Sequence, residues 1–298
     1  MKHADGRARL AGFCALALLA LGILIAPGAA RGAEGDAPAN PAGLMLWNRL
    51  GSMDEIMHSA VGPDLDFFNC AEFACGIDVA GQLIFGGGFG GAAIIARGPY
   101  FSTARIHTAL LRDPIMSPER GTIEAWYQQR SDPVGYQHDP HRIFGGPYSF
   151  FGVNEVNLYV QDDIDSADPR LEFTVFFGKE PRPYTEPYVV PALSLVDGGK
   201  GAPISSYNGQ WIHVAGVWDR SGIAGTTDTV RLYVNGTVVA ASQLIDWGKR
   251  RCDQRLPGED RCVSDVVGCN DNCAGVFAVD ELMIWNYAKT DFSDRFQK

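Results

Sequence analysis

Past Ala26 the chain has no apolar run long enough to cross a bilayer. It is also short of basic residues, with 25 Lys and Arg against 35 Asp and Glu and a formal net charge of −10. The first absence confines any membrane-inserted stretch to the amino terminus. The second opposes binding to nucleic acid or to anionic lipid headgroups, because both need clustered cations. Alternating helix and strand, internal repeats and heptads are missing, which excludes parallel α/β folds, solenoids and coiled coils. There is no G-x-S-x-G elbow for a serine hydrolase and no C-x2-C knuckle for zinc. His138 and His141 are separated by Asp-Pro, and Pro140 forbids the helical H-E-x-x-H arrangement. Gly86 to Gly91 formally contains G-x-G-x-x-G, but no helix pattern follows it, so it reads as a tight turn between strands rather than a phosphate cradle.

The amino terminus carries Lys2, Arg7 and Arg9, then an apolar run from Leu10 to Ala26, then Pro27 to Ala30. This layout predicts a secretory signal peptide over 1–30, cleaved after Ala30, with Gly32 and Ala33 as competing sites and an uncleaved anchor as the alternative. The expected address is secreted, periplasmic or cell-surface. Removing Lys2, Arg7, Arg9 and Asp5 shifts the net charge from −10 to −12. Residues 31–43 read as a polar linker and 44–298 as one domain. Of seven cysteines, Cys14 lies in the leader. The other six, Cys70, Cys75, Cys252, Cys262, Cys269 and Cys273, are an even number in an exported chain and read as disulfides. Cys70 and Cys75 are expected to pair locally. The last four can pair in three ways, and a four-Cys zinc site is the alternative.

Strands are legible wherever Val, Ile, Tyr and Trp alternate with polar residues and end on Gly, Asn or Asp. The pattern predicts early strands at Leu44–Asn48 and Leu65–Phe68 and short ones between Leu83 and Ile106. Regular ones follow at Thr122–Gln128, Arg142–Phe151, Val156–Gln161, Leu171–Gly178, Tyr188–Leu195, Trp211–Asp219, Thr229–Val234, Val238–Gln243 and Phe277–Trp285. Brief helices are expected only at Ser52–His58 and in the Thr290–Phe296 tail. The fold class is therefore all-β, a two-sheet antiparallel sandwich. Residues 245–275, dense in cysteine and charge, read as a disulfide-rich insertion riding on it. Asn235-Gly236 supplies the positive-φ turn of a hairpin.

Four segments carry a family resemblance: GTIEAWY at Gly121–Tyr127, QWIHVA at Gln210–Ala215, VRLYVNG at Val230–Gly236 and VDELMIWNYAK at Val279–Lys289. They resemble the strands of laminin-G-like, concanavalin A-like jelly rolls found in secreted bacterial proteins. The resemblance implies a concanavalin A-like jelly roll and an extracellular glycan or glycoprotein partner. It also implies a structural Ca2+ near the start of the closing strand, at Asp280, with a carboxylate hydrogen-bonded to turn amides as the alternative and no other cofactor; topology, rather than any motif, makes Asp64 or Asp66 of the amino-terminal strands the further ligands. The related β-glucanases place two Glu and an Asp on one strand as E-x-D-x-x-E, because glycoside cleavage needs an acid and a nucleophile on opposite sides of the bond. No strand here carries that trio, so a non-catalytic module is expected. A protein-adhesion domain is the alternative, and a glycan-degrading enzyme with carboxylates drawn from separate loops a further one.

A sugar site needs aromatic rings to stack on and a few polar groups to fix orientation. Trp126, Tyr159, Trp211 and Tyr233 are the candidate rings, with Glu124 on the same strand face as Trp126. Core packing is the competing role for each ring. The acidic hairpin Asp162 to Asp168 lacks the Gly and Glu of a helix-loop-helix calcium loop and reads as a solvated turn. His213 reads as a structural histidine.

Overall fold

The computed structural model describes residues 41–71, 83–89, 92–97, 106–111, 115–130, 141–148, 154–161, 170–175, 193–194, 202–203, 205–243, 264–269 and 276–297. The leader, most of the linker, Cys75, Cys252, Cys262, Cys273, the acidic hairpin and the His138–Pro140 stretch lie outside the described residues.

Two antiparallel sheets form the body. The first contains β1 (Leu44–Asn48), β3 (Leu83–Gly87), β4 (Ala92–Arg97), β6 (Arg120–Gln129), β12 (Trp211–Asp219), β13 (Val230–Val234), β14 (Thr237–Ser242) and β16 (Val276–Trp285). Its order is β14-β13-β12-β6-β16-β4-β3, with β1 pairing the carboxyl half of β16. The second contains β2 (Asp66–Ala71), β5 (Ile106–Leu111), β7 (His141–Tyr148), β8 (Asn154–Gln161), β9 (Arg170–Val175), β10 (Leu193–Ser194), β11 (Ala202–Pro203) and β15 (Ser264–Cys269). Its order is β10-β9-β8-β7-β15-β5-β2, with β11 also on β9. A single α-helix among the described residues, α1 (Met53–Met57), starts at Ser52, whose hydroxyl accepts the Glu55 amide as an N-cap.

Period-two alternation decides what faces the core. On β6 Ile123, Ala125 and Tyr127 point inward, as do Ile212, Val214 and Trp218 on β12, Val230, Leu232 and Val234 on β13, and Leu282 and Ile284 on β16. They meet Val156, Leu158, Val160, Leu171, Phe173 and Val175 from the second sheet in one continuous cluster. The β13–β14 hairpin turns at Asn235 (φ 49°) and Gly236 (φ 75°), the primed two-residue geometry expected of Asn-Gly.

One expectation is corrected. Ser264–Cys269 is not part of an insertion riding on the surface: it is β15, hydrogen-bonded between β5 and β7 in the second sheet. Both ladders step from Val266 to Gly268 and skip Val267, which takes φ 52° as a bulge, and both valines are fully buried. The two adjacent valines break strict alternation and sit among charges and cysteines, so the strand is masked in the sequence. The tail also differs from a helix, forming only a single 3-10 turn at Ser293–Arg295.

Glycine at 216 sets the spacing between the sheets. A Cβ built there would lie 2.2 Å from Phe173 Cδ2, so the Phe173 ring occupies the volume a side chain would need. Gly216→Ala should therefore cost about 1–3 kcal/mol in urea unfolding through overpacking. Gly86→Ala, where a Cβ meets nothing within 4 Å, should change stability by no more than ~0.5 kcal/mol. Equal effects at the two sites would refute the close approach.

Candidate functional site

The outward face of the first sheet carries most of the residues selected from sequence. Thr122, Glu124 and Trp126 on β6, His213, Ala215 and Val217 on β12, Tyr233 on β13, and Met283 and Trp285 on β16 alternate with the core positions. Cross-strand register places His213 opposite Trp126, Ala215 opposite Glu124 and Met283 opposite Glu124. This face is not open. Trp126 is 4 % exposed, Tyr233 3 % and Glu124 0 %.

The segment following β16 covers it. Thr122 Oγ1 donates to the Tyr287 carbonyl (2.8 Å) and accepts the Lys289 amide (2.8 Å), which lays the tail across β6. Phe292 joins Ala215, Val217, Ile223 and Tyr233 in a second apolar cluster, with ring centroids 4.9 Å from Tyr233 and 5.1 Å from His213. Phe296 meets Trp126 edge-on at 5.6 Å.

Glu124 is the hub beneath this cover. Its Oε1 accepts from Trp285 Nε1 (2.5 Å) and Lys289 Nζ (3.0 Å), while its Oε2 faces His213 Nε2 (2.7 Å) and Arg295 Nε (3.4 Å). Lys289 also reaches Asp294 (2.9 Å), and Arg295 donates to the Glu281 carbonyl (3.0 Å). Burial raises the Glu124 pKa, but the His213 hydrogen bond and the charges of Arg295 and Lys289 outweigh it and hold the carboxyl at about 2. Burial keeps His213 below its ordinary value, against the pull of Glu124, so the neutral ring donates from Nε2. Two carboxylates and two cations then balance, which satisfies the requirement that buried charge be paired.

The remaining candidates lie elsewhere. Trp211 is half-buried at the start of β12, with the Arg130 guanidinium 5.9 Å from its ring. Tyr159 is on the outward face of the second sheet, opposite Glu172, and its hydroxyl donates to Glu172 Oε2 (2.7 Å). Beside it Asn157 Nδ2 donates to Thr174 Oγ1 (3.3 Å). Tyr159, Asn157 and Glu172 are half-exposed, so this row presents an aromatic ring with amide and carboxylate groups at its edges.

The three aspartates expected to hold calcium are dispersed. Asp280 is buried on β16, and its Oδ2 accepts the Phe89 amide at 2.7 Å. Burial is the main cause that raises its pKa to about 7. Asp64 is exposed and accepts the Ser59 amide, and Asp66 is exposed on β2 in the other sheet. Among the described residues no group of three or more His, Cys, Asp or Glu side chains is placed to hold a metal ion. The groups that sequence reasoning missed are Phe89, Lys289, Phe292, Arg295 and Phe296. For Lys289 and Arg295 the one available signal was Glu124 in mid-strand, whose burial requires cations.

The sequence model of the Laminin_G_3 family, described as the Concanavalin A-like lectin/glucanases superfamily, matches residues 107–291. No curated protein matches the chain. Among solved structures it is similar to the botulinum neurotoxin type G receptor binding domain, at 12 % identity and TM-score 0.42, covering 86 % of this chain and 51 % of that one. It is similar to domain 4 of AbnA, a GH43 extracellular arabinanase from Geobacillus stearothermophilus in complex with arabinotriose, at 16 % identity and TM-score 0.45, covering 83 % and 94 %. A third is the Trypanosoma rangeli sialidase, at 11 % identity and TM-score 0.42, covering 84 % and 31 %. The chain thus spans about half of the toxin domain and a third of the sialidase.

The Glu124 cluster has a defined pH signature. A carboxyl depressed from 4.5 to about 2 contributes stability that is complete above 4.5 and is lost as pH falls toward 2. His213, depressed from 6.5, acts in the same sense from 6.5 downward, because only the unfolded ring takes up the proton. Asp280, raised from 3.8 to about 7, acts in the opposite sense, favouring the folded state as pH falls through 7 toward 3.8. Glu124→Gln strands Lys289 and Arg295 and should cost about 3–5 kcal/mol at pH 7. Its penalty should shrink between pH 4.5 and 2. A penalty in urea unfolding that stays constant across that window would contradict the assignment.

Proposed function

The chain belongs to the Concanavalin A-like lectin/glucanases superfamily, and from that premise we propose that it is an exported, non-catalytic module that binds an extracellular glycan or the glycan of a glycoprotein. The observation that carries the reading is the Tyr159–Glu172 pair on the outward face of β8 and β9, flanked by Asn157 and Thr174. A tyrosine ring offers an apolar face to a sugar's C–H groups, and the hydrogen-bonding groups at its rim match hydroxyls and set orientation. The non-catalytic part is supported by Glu124. A hydrolase acid must reach the scissile oxygen, and Glu124 is sealed beneath the tail with each oxygen already facing two donors.

The test is binding of the intact chain to an immobilised array of plant, bacterial and animal oligosaccharides. We expect retention on at least one glycan class and at least a tenfold loss of affinity in Tyr159→Ala and in Glu172→Gln, with melting temperatures unchanged. Retention that survives both substitutions would move the site off this face, and no retention on any glycan would favour protein adhesion instead.

Calcium is expected to play no part in holding Asp280, since its carboxylate is engaged by the Phe89 amide. Melting curves in calcium and in EDTA should coincide. A calcium-dependent rise that Asp280→Asn removes would restore the metal site.

A further inference from the structure

Among the described residues the tail covers the outward face of the first sheet as far as Phe296, which meets Trp126 and His213 edge-on. One cross-strand pair further along this face Trp211 stands opposite Gln128, and Arg130 follows directly after β6. Alternation from Trp126 and His213 turns all three side chains outward, and all three are half-exposed.

Arg130 is held in place. Its Nε donates to Gln128 Oε1 (2.6 Å) and its Nη2 donates to the Gly87 carbonyl (2.8 Å). Gln128 is fixed in turn, because its Nε2 donates to the Gly209 carbonyl at 2.8 Å. The two bonds engage the nitrogens of the guanidinium's side-on edge. Nη1 and the outer hydrogen of Nη2 make the end-on fork, whose spacing matches the two oxygens of a carboxylate. Among the described residues no carboxylate pairs with that fork, although the chain has 35 Asp and Glu against 25 Lys and Arg. Burial pulls the Arg130 pKa below its ordinary value, the direction taken by a cation that no anion offsets. Fixing so long a side chain costs rotamer entropy, and here no ion pair offsets that cost.

Trp211 is the ring beside the fork. Arg130 Cζ lies 5.9 Å from the ring centroid, at the outer limit of a cation–π contact, so the guanidinium stands beside the indole instead of lying flat on it. An indole offers an apolar face to the C–H groups of a sugar, and a sugar ring lying on it can direct a carboxyl substituent toward the neighbouring fork. The acidity of the chain does not oppose such a ligand as it opposes nucleic acid. One carboxylate needs one oriented guanidinium rather than a cluster of cations, and charges more than about 10 Å away are screened at 0.1 M salt.

We propose that Trp211, Gln128 and Arg130 form a binding site for a carboxylated sugar, a uronic or sialic acid residue of an acidic glycan. The sugar ring stacks on the Trp211 indole, its carboxylate takes the end-on fork of Arg130, and Gln128 is the positioning residue. The inference rests on the glycan-binding reading and adds a site on the other sheet from the Tyr159 row, one that selects for charge.

The test is calorimetric titration of the intact chain with two matched pairs, hexagalacturonate against its full methyl ester and sialyllactose against lactose. At least one acidic sugar should bind at least tenfold more tightly than its uncharged counterpart, and the pair that shows the gap separates uronic from sialic acid. Arg130→Gln should bring that ratio to within about twofold, and Arg130→Lys, which keeps the charge without the fork, should lower it at least threefold. Each ratio compares two ligands on one variant, so a loss of stability alone does not move it. Trp211→Ala should weaken binding of the acidic sugar at least tenfold, and Trp211→Phe should restore most of it. Equal affinity for acid and uncharged counterpart, a preference that survives Arg130→Gln, or an affinity that survives Trp211→Ala would overturn the site. Retention on the oligosaccharide array that depends on Tyr159, with neither acidic sugar bound, would overturn this site and leave the glycan reading standing. No retention on any glycan would overturn both.

Discussion

The rest of the first sheet depends on one buried carboxylate. A glutamate in the middle of a strand, with its side chain fully out of water, is tolerable only if each oxygen finds donors and its charge finds cations. Glu124 obtains Trp285 and His213 from the neighbouring strands, but both of its cations, Lys289 and Arg295, come from the segment after β16. That dependence makes the segment part of the sheet. Once Lys289 and Arg295 are drawn to Glu124, Phe292 and Phe296 between and beyond them are placed over Tyr233, His213 and Trp126. The apolar cover then lowers the local dielectric and strengthens the ion pairs beneath it.

This constraint divides the two outward faces by role. On the first sheet Tyr233 is consumed in a second small core under the tail and Trp126 is buried, while Trp211 is half-buried at the start of β12. On the second sheet the outward-facing Asn157, Tyr159 and Glu172 are half-exposed, while Thr174 beside them is buried. Trp126 is covered from the tail by Phe296 and stacked on its other side by Phe89.

Much of the fold was legible because strand chemistry is local. β1 and β12 have the bounds their alternation implies, the Asn235-Gly236 turn has the positive φ values its residues permit, and Glu124 does share a face with Trp126. What stayed hidden depends on contacts distant in sequence. β15 reads as a charged cysteine-rich loop because its core pair, Val266 and Val267, is adjacent rather than alternating, and only the bulge turns both inward. The tail has no period at all, so nothing in Lys289, Phe292, Arg295 and Phe296 announces that they serve a glutamate 165 residues away. The same limit applies to the binding candidates. Trp126, Tyr233 and Tyr159 are equally plausible platforms by composition, and burial alone separates them.

The most direct measurement of whether the tail belongs to the first sheet is hydrogen–deuterium exchange of the intact chain at pH 7. The amide of Lys289, bonded to Thr122 Oγ1, and the neighbouring tail amides should exchange on the slow timescale of β12, because opening the tail would strand the buried charges of Glu124, Lys289 and Arg295. A tail that exchanges at the rate of a free peptide while β6 and β12 remain protected would contradict the account, leaving Trp126, Tyr233 and Glu124 open to a ligand after all.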